Sequence, residues 1–270
     1  MPDPNPDTVR LDVADGIATV TLDRPPVNAI DRPTMARLAT VFGSLRDRRD
    51  VRVAIFTATG DRAFIAGVDL KTFEPGGSGE RAKDPDFPAS RLIDPGLPAR
   101  DAMWSIKDCA VPVIAAVNGP AIGAGLALVA CCDIIVAVEG ATFGTTEINV
   151  GLLGASAHLS RLVGRYKARE MFFTGELVTA EELQRLGAIR SVIPRDKLAA
   201  TAHELATTLA AKSPLALRMA KDSMNRVEDL PLEEAYRIEQ DYTDRLLRFE
   251  DAAEARRAFF EKREPDWRWR

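Results

Sequence analysis

Glu147 is the only carboxylate in the run from Ala141 to Ser160. A carboxylate set among apolar and small residues loses hydration when the chain folds. That raises its pKa and suits it to take or give a proton near neutral pH. Two glycine-bearing segments lie upstream, Gly60-Asp61-Arg62-Ala63-Phe64-Ile65-Ala66-Gly67-Val68-Asp69-Leu70-Lys71 and Asn118-Gly119-Pro120-Ala121-Ile122-Gly123-Ala124-Gly125. Small residues let a backbone come close to a ligand or to another backbone. Taken alone, Gly119, Gly123 and Gly125 are equally consistent with a tight turn and close helix packing. Gly123-Ala124-Gly125 lacks the third glycine of a dinucleotide fingerprint, and the acidic residue further on, Glu139, precedes Gly140 just past a strand. His158 and His203 are far apart, and no Cys/His pair has metal-ligand spacing, so no metal is expected.

These groups need a scaffold. Val9, Leu11 and Val13, then Ile17, Val20 and Leu22, alternate around Asp15-Gly16 and predict a β-hairpin. Asp31 can cap a helix with Pro33 in its first turn and Met35, Leu38, Val41, Phe42 and Leu45 on one face. Val51–Ala58, Val111–Val117 and Asp133–Val138 read as buried strands, with a small-residue helix over 120–130 between the last two. Strand–helix–strand order at this spacing implies parallel pairing and an α/β class. Residues 74–100, rich in Gly, Pro and charge, read as a long surface excursion able to deliver Glu80, Asp84, Asp86 or Asp94. Helices are expected over Glu181–Leu186, Arg195–Lys212, 215–226 and 232–263. An α/β core over 1–200 and a helical region over 201–270 follow.

The chain has 270 residues, 46% hydrophobic and 28% charged, enough for a sizeable core. A formal net charge of −4 gives no global basic field, so nucleic acid is not an expected partner. Cys109, Cys131 and Cys132 are odd in number and include an adjacent pair, which suits a reducing cytoplasm better than a disulfide framework. The start, Met1-Pro2-Asp3-Pro4-Asn5-Pro6-Asp7, has no basic or apolar signal region. The apolar stretches are too short to span a bilayer.

Together, the Phe64–Leu70 segment, the Gly123-Ala124-Gly125 turn, Asp133 and the Phe143-Gly144 to Glu147 stretch resemble the crotonase (enoyl-CoA hydratase/isomerase) superfamily. The resemblance extends to Pro26-Val27-Asn28-Ala29, Pro112–Gly119 and Phe259-Phe260-Glu261-Lys262-Arg263. It implies a ClpP/crotonase-like spiral of ββα units with a C-terminal helical trimerisation region, assembled as a trimer or a hexamer. It also implies an acyl-CoA thioester substrate, with CoA entering as part of that substrate and no other cofactor. By the same match the backbone N–H groups of Val68 and Ala124, beside Gly123, form an oxyanion hole for a thioester enolate, and Glu147 is the general acid/base. Pro26, Val27, Ala29, Ala66, Asp69, Leu70, Lys71 and Lys262 would contact CoA.

Hydratases of the superfamily carry a second glutamate where this chain has Ala127. His158, near the start of a helix, is a packed residue or a substitute for that group. Asp133 reads as structural, and Asp69 as a cap for a helix beginning at Leu70. Three functions follow: an enoyl-CoA hydratase or isomerase, a ring-opening hydrolase of a cyclic β-keto acyl-CoA, or a non-catalytic scaffold. Gly151–Leu162 and Tyr236–Gln240 are similar to crotonases that degrade cyclic CoA substrates.

Overall fold

A computed structural model of the chain describes residues 8–70 and 88–270. The expected hairpin forms as β1 (Val9–Ala14) and β2 (Ile17–Leu22), antiparallel, with Val9 opposite Leu22. Asp15 and Gly16 both take positive φ in its turn. The helix after it is α1 (Arg32–Ser44), whose N-cap Asp31 accepts from the Thr34 N–H. Beyond it lie β3 (Val53–Ala58), β4 (Val113–Val117), β6 (Ile134–Val138) and β9 (Ser191–Ile193). With the hairpin they make a six-stranded sheet in the order β1-β2-β3-β4-β6-β9, parallel from β2 onward. β3 and β4 are almost continuously apolar because both faces are covered.

A second, three-stranded sheet joins β5 (Ala121–Ile122), β7 (Thr142–Gly144) and β8 (Val178–Thr179). Between the two sheets' strands run α2 (Ala89–Ile93), α3 (Leu97–Lys107), α4 (Ala124–Ala130), α5 (Ser156–Val163), α6 (Arg165–Thr174) and α7 (Ala180–Arg185). α1 packs on α3, and α4 packs on α3, α5 and β5. α8 (Leu198–Ala210) lies across β3, β4 and β6, so the helix that begins beside the expected division at residue 200 is a layer of the core.

The helical C-terminal region continues with α9 (Pro214–Val227), α10 (Leu232–Leu246) and α11 (Glu250–Glu261). The single helix expected over 232–263 is two. Phe249 is extended (φ −85, ψ 142), and Glu250 and Asp251 begin a new first turn, where acidic side chains complement the helix dipole. The helix expected over Arg195–Lys212 likewise divides. Pro194 opens a 3-10 turn over Arg195–Lys197 before α8 starts. α6 was not expected at all; it starts at Gly164, whose φ of 75 breaks the chain direction set by α5. Among the described residues no helix is long and apolar enough to cross a membrane.

Candidate active site

Two backbone segments are laid side by side by hydrogen bonds between them. Phe64 and Ile65 donate N–H to the Pro120 carbonyl at 3.0 and 3.2 Å, and Ile122 donates to the Ile65 carbonyl at 2.9 Å. The Asn118 amide donates to the carbonyls of Ala58 and Gly60 at 2.8 and 2.9 Å, which pins the turn to the end of β3. α4 then packs so tightly on this strip that a Cβ on Gly125 would sit 2.4 Å from the Ile65 carbonyl oxygen. Only glycine permits that approach.

The strip leaves two amides turned toward one space. Ile30 bridges Val68 in parallel fashion: it donates to the Gly67 carbonyl and accepts from the Asp69 N–H, both at 2.9 Å. In such a bridge the middle residue's own polar groups face the other way. Ala124 is the first residue of α4, where an N–H has no intrahelical partner, and no side chain caps it. Val68 and Ala124 both line a cavity of about 310 Å³. Neither N–H is used in a backbone hydrogen bond among the described residues.

Glu147 lines the same cavity, at the first position of a 3-10 helix (Glu147–Val150) that follows β7. The Gly123 N–H donates to the Gly144 carbonyl at 2.8 Å, joining this segment to the start of α4. The carboxylate lies against two glycines. A Cβ on Gly123 would meet Glu147 Oε1 at 2.3 Å, and one on Gly154 would meet it at 3.3 Å. Oε2 is buried without a hydrogen-bond partner among the described residues. Desolvation by burial pushes the Glu147 carboxyl above the ordinary glutamate value, against a weaker lowering by its own backbone hydrogen bond. The rest of the wall is apolar: Met35 from α1, Ala99 and Met103 from α3, and Leu70, Val150, Leu152 and Leu153. Among its described residues Glu147 is the only ionisable one, with Thr146 the only hydroxyl.

Of the other residues singled out in the sequence, Ala66 and Leu70 line this cavity. Val27 is joined to them, because its carbonyl accepts the Ala66 N–H at 3.1 Å. Pro26 is exposed and Ala29 half-buried on the same loop, which Asn28 anchors by donating to the carbonyls of Thr59 and Ala63 at 2.9 and 3.1 Å. Asp69 is tied to Arg24. Lys71, Glu80, Asp84 and Asp86 lie outside the described residues, as does any helix that Asp69 caps; Asp94 is engaged with Arg100 at the surface. Lys262 is exposed at the end of α11 in a left-handed conformation, next to the exposed Phe259 and Phe260. Ala127 is fully buried on α4 and is not part of the cavity wall.

His158 does not meet Glu147. It lines a separate cavity with Trp104, Cys131 and Arg161, its ring edge-on to Trp104 at 6.2 Å. Burial, helped by Arg161 and Lys107, holds its pKa below the ordinary histidine value. Asp133 accepts from the Val113 N–H at 2.6 Å and from Lys221 Nζ at 2.7 Å, which makes it a joint between strands and α9. No local pattern marks the walls contributed by Ala99, Met103 and Leu153. Their spacing is ordinary helix and loop spacing, and which face meets the cavity depends on packing.

The arrangement can stabilise a negative oxygen with two amides and move a proton with one desolvated carboxylate. Known proteins are similar to this chain along nearly its whole length. Residues 12–270 match the enoyl-CoA hydratase/isomerase family. The chain is 41% identical over 247 residues to a (7aS)-7a-methyl-1,5-dioxo-2,3,5,6,7,7a-hexahydro-1H-indene-carboxyl-CoA hydrolase of Mycobacterium tuberculosis, covering 92% of this chain and 96% of the other. It is 37% identical over 261 residues to carnitinyl-CoA dehydratase of Salmonella typhimurium, covering 94% and 95%. Among solved structures, an enoyl-CoA hydratase/isomerase of Mycobacterium paratuberculosis superimposes with a TM-score of 0.87 at 32% identity, over 98% and 99% of the two chains. The resemblance read from the glycine-rich strips and Glu147 is therefore one of descent, and the chain belongs to the enoyl-CoA hydratase/isomerase family.

Proposed function

We propose that this acyl-CoA enzyme is a hydrolase that opens the ring of a cyclic β-keto acyl-CoA by retro-Claisen cleavage. The observation that carries the reading is one desolvated carboxylate, with an unpartnered oxygen, in an otherwise apolar cavity. Glu147 takes a proton from water as the water oxygen attacks the ring ketone. The bond from that carbon to the thioester α-carbon breaks, and its electron pair becomes a thioester enolate. The Val68 and Ala124 N–H groups hold the enolate oxygen. Glu147 then returns the proton to the α-carbon. The ketone carbon becomes a carboxylic acid that stays joined through the rest of the opened ring, and CoA stays attached. The Met35, Met103, Val150 and Leu152 walls suit a hydrocarbon ring, and the hydrolase relatives at 40 and 41% identity support the class. Pro26, Val27, Ala29, Ala66, Asp69, Leu70, Lys71 and Lys262 are the proposed CoA contacts, and no further cofactor is required.

The dehydratase relatives favour a second reading, in which Glu147 alone adds or removes water, or shuttles a proton, across an enoyl-CoA. Three substrates separate the two: a cyclic β-keto acyl-CoA, crotonyl-CoA and a 3-enoyl-CoA. Ring opening is expected, seen as the gain of one water by mass with CoA retained. Fast crotonyl-CoA hydration with an inert cyclic β-keto acyl-CoA overturns the hydrolase reading. Inactivity on all three returns the chain to a scaffold role.

The assembly we propose is a trimer or a dimer of trimers. Leu232, Tyr236, Leu247, Phe259 and Phe260 are exposed on α10, α11 and their junction, and they would be covered by a neighbouring copy. A monomeric mass by light scattering contradicts this.

A further inference from the structure

Arg24 touches none of the reacting groups, yet it ties together three segments around them. Its Nη1 donates to the Ala29 carbonyl, and its Nη2 donates to Asp31 Oδ2 and Asp69 Oδ2, both at 3.1 Å. Its backbone N–H donates to Asn28 Oδ1 at 2.9 Å. The guanidinium is 28% exposed and the two carboxylates 24% and 23%, so these pairs are sheltered from full solvent screening. Asp31 is the α1 cap, with Oδ1 accepting the Thr34 N–H at 2.9 Å, and α1 carries Met35 to the cavity. Asp69 directly follows Val68. The residue before Val68 is Gly67, whose φ of +108 is a conformation that side-chain-bearing residues rarely adopt. A glycine there supplies the turn but no stiffness, so the aim of the Val68 amide depends on what grips its flanks. On the main chain that grip is Ile30, and on the side chain it is Arg24 through Asp69.

We propose that Arg24 is a positioning residue: by holding Asp69 it sets the direction of the Val68 N–H and locks that amide to the Pro26–Ala29 loop and to α1. A planar guanidinium meets three acceptors on three segments at once. A lysine keeps the charge but not the fork. The inference rests on the reading of the cavity as an oxyanion site. The probe that isolates it is acetoacetyl-CoA, whose enolate has its own ultraviolet band, titrated against pH in the complex with the full chain. Butyryl-CoA, which does not enolise in this range, measures ground-state binding.

Arg24→Lys and Asp69→Asn are each expected to weaken enolate stabilisation about tenfold, raising the midpoint of the band by about one pH unit. Because Asp69 and the Pro26–Ala29 loop are also proposed CoA contacts, butyryl-CoA affinity is free to fall in the same variants. The expected sign of the positioning role is that enolate stabilisation falls several-fold more than butyryl-CoA affinity does. The double variant should lose less than the sum of the two single losses, because both single variants break the shared Arg24–Asp69 link. If Arg24→Lys fails to fold, Asp69→Asn carries the test, since it removes a charge and keeps the shape. Wild-type enolisation in a folded Asp69→Asn overturns the proposal, and so does a parallel loss of butyryl-CoA binding, which would make Arg24 a CoA-loop residue only. Absence of an enolate band in the wild type overturns the oxyanion reading of the cavity and this inference with it.

Discussion

Two carboxylates flank α4, and they are treated in opposite ways. Asp133, just past its C-terminal end, is saturated at one oxygen: a backbone N–H and Lys221 Nζ both reach Oδ2. Lys221 itself is 5% exposed and also donates to the carbonyls of Ile106 and Val111. Glu147, facing the other end of the helix at Gly123, has a buried oxygen with no partner and a raised pKa. A carboxylate oxygen held by two donors joins the elements that carry them. An unsatisfied one is destabilising to the fold, and for that reason it is available to a substrate or a water.

The largest expected effect is on the saturated side. Lys221→Met strands Asp133 and should destabilise the fold by about 3 kcal/mol in chemical denaturation, because breaking a sheltered pair leaves an uncompensated charge. A loss below about 1 kcal/mol would erase the contrast. On the unsatisfied side, Glu147→Gln should lower turnover at least ~10²-fold with the fold intact by circular dichroism. Near-wild-type turnover would remove Glu147 from the chemistry.

Next in size is Gly125→Ala, which tests the close approach that sets the distance between the two ends. A Cβ there meets backbone 2.4 Å away, so the helix must shift. We expect a loss of about 1–2 kcal/mol in stability and a disproportionate fall in kcat. The smallest effect is the pH dependence that Glu147 gives to stability. Glu147 has a raised folded pKa, so its contribution to stability is present at low pH and is lost as pH rises through that pKa. Glu147→Gln should therefore melt about 1–2 °C above the wild type at pH 8, and the gap should close on acidification below the ordinary glutamate value. The same raised pKa predicts that kcat/KM falls on acidification with a midpoint above that value.

Much of this molecule is legible from local patterns. The β1–β2 hairpin follows from alternation around Asp15-Gly16, and the α1 start follows from Asp31 and Pro33. The buried strands follow from unbroken apolar runs. Glu147 stands out because its neighbours carry no charge. The readings that needed correction depended on distance in space. His158 lies near Glu147 in sequence but faces Trp104 in another cavity. The break between α10 and α11 sits in a stretch whose helical pattern continues across it, and α6 starts with no side-chain cap, only Gly164 before it and a left-handed Gly175 after it.

The sequence by itself determined the family and the class of fold and singled out one carboxylate as a candidate, because glycine placement, strand runs and an isolated charge are local properties of the chain. Tertiary structure alone decided that Asp133 is satisfied and Glu147 is not. It also decided that two amides, 56 positions apart as Val68 and Ala124 in the chain, turn into one cavity. A hydrogen-bond partner is a matter of position in space, and for Asp133 the partner is Lys221, which only the packing of α9 brings within 2.7 Å.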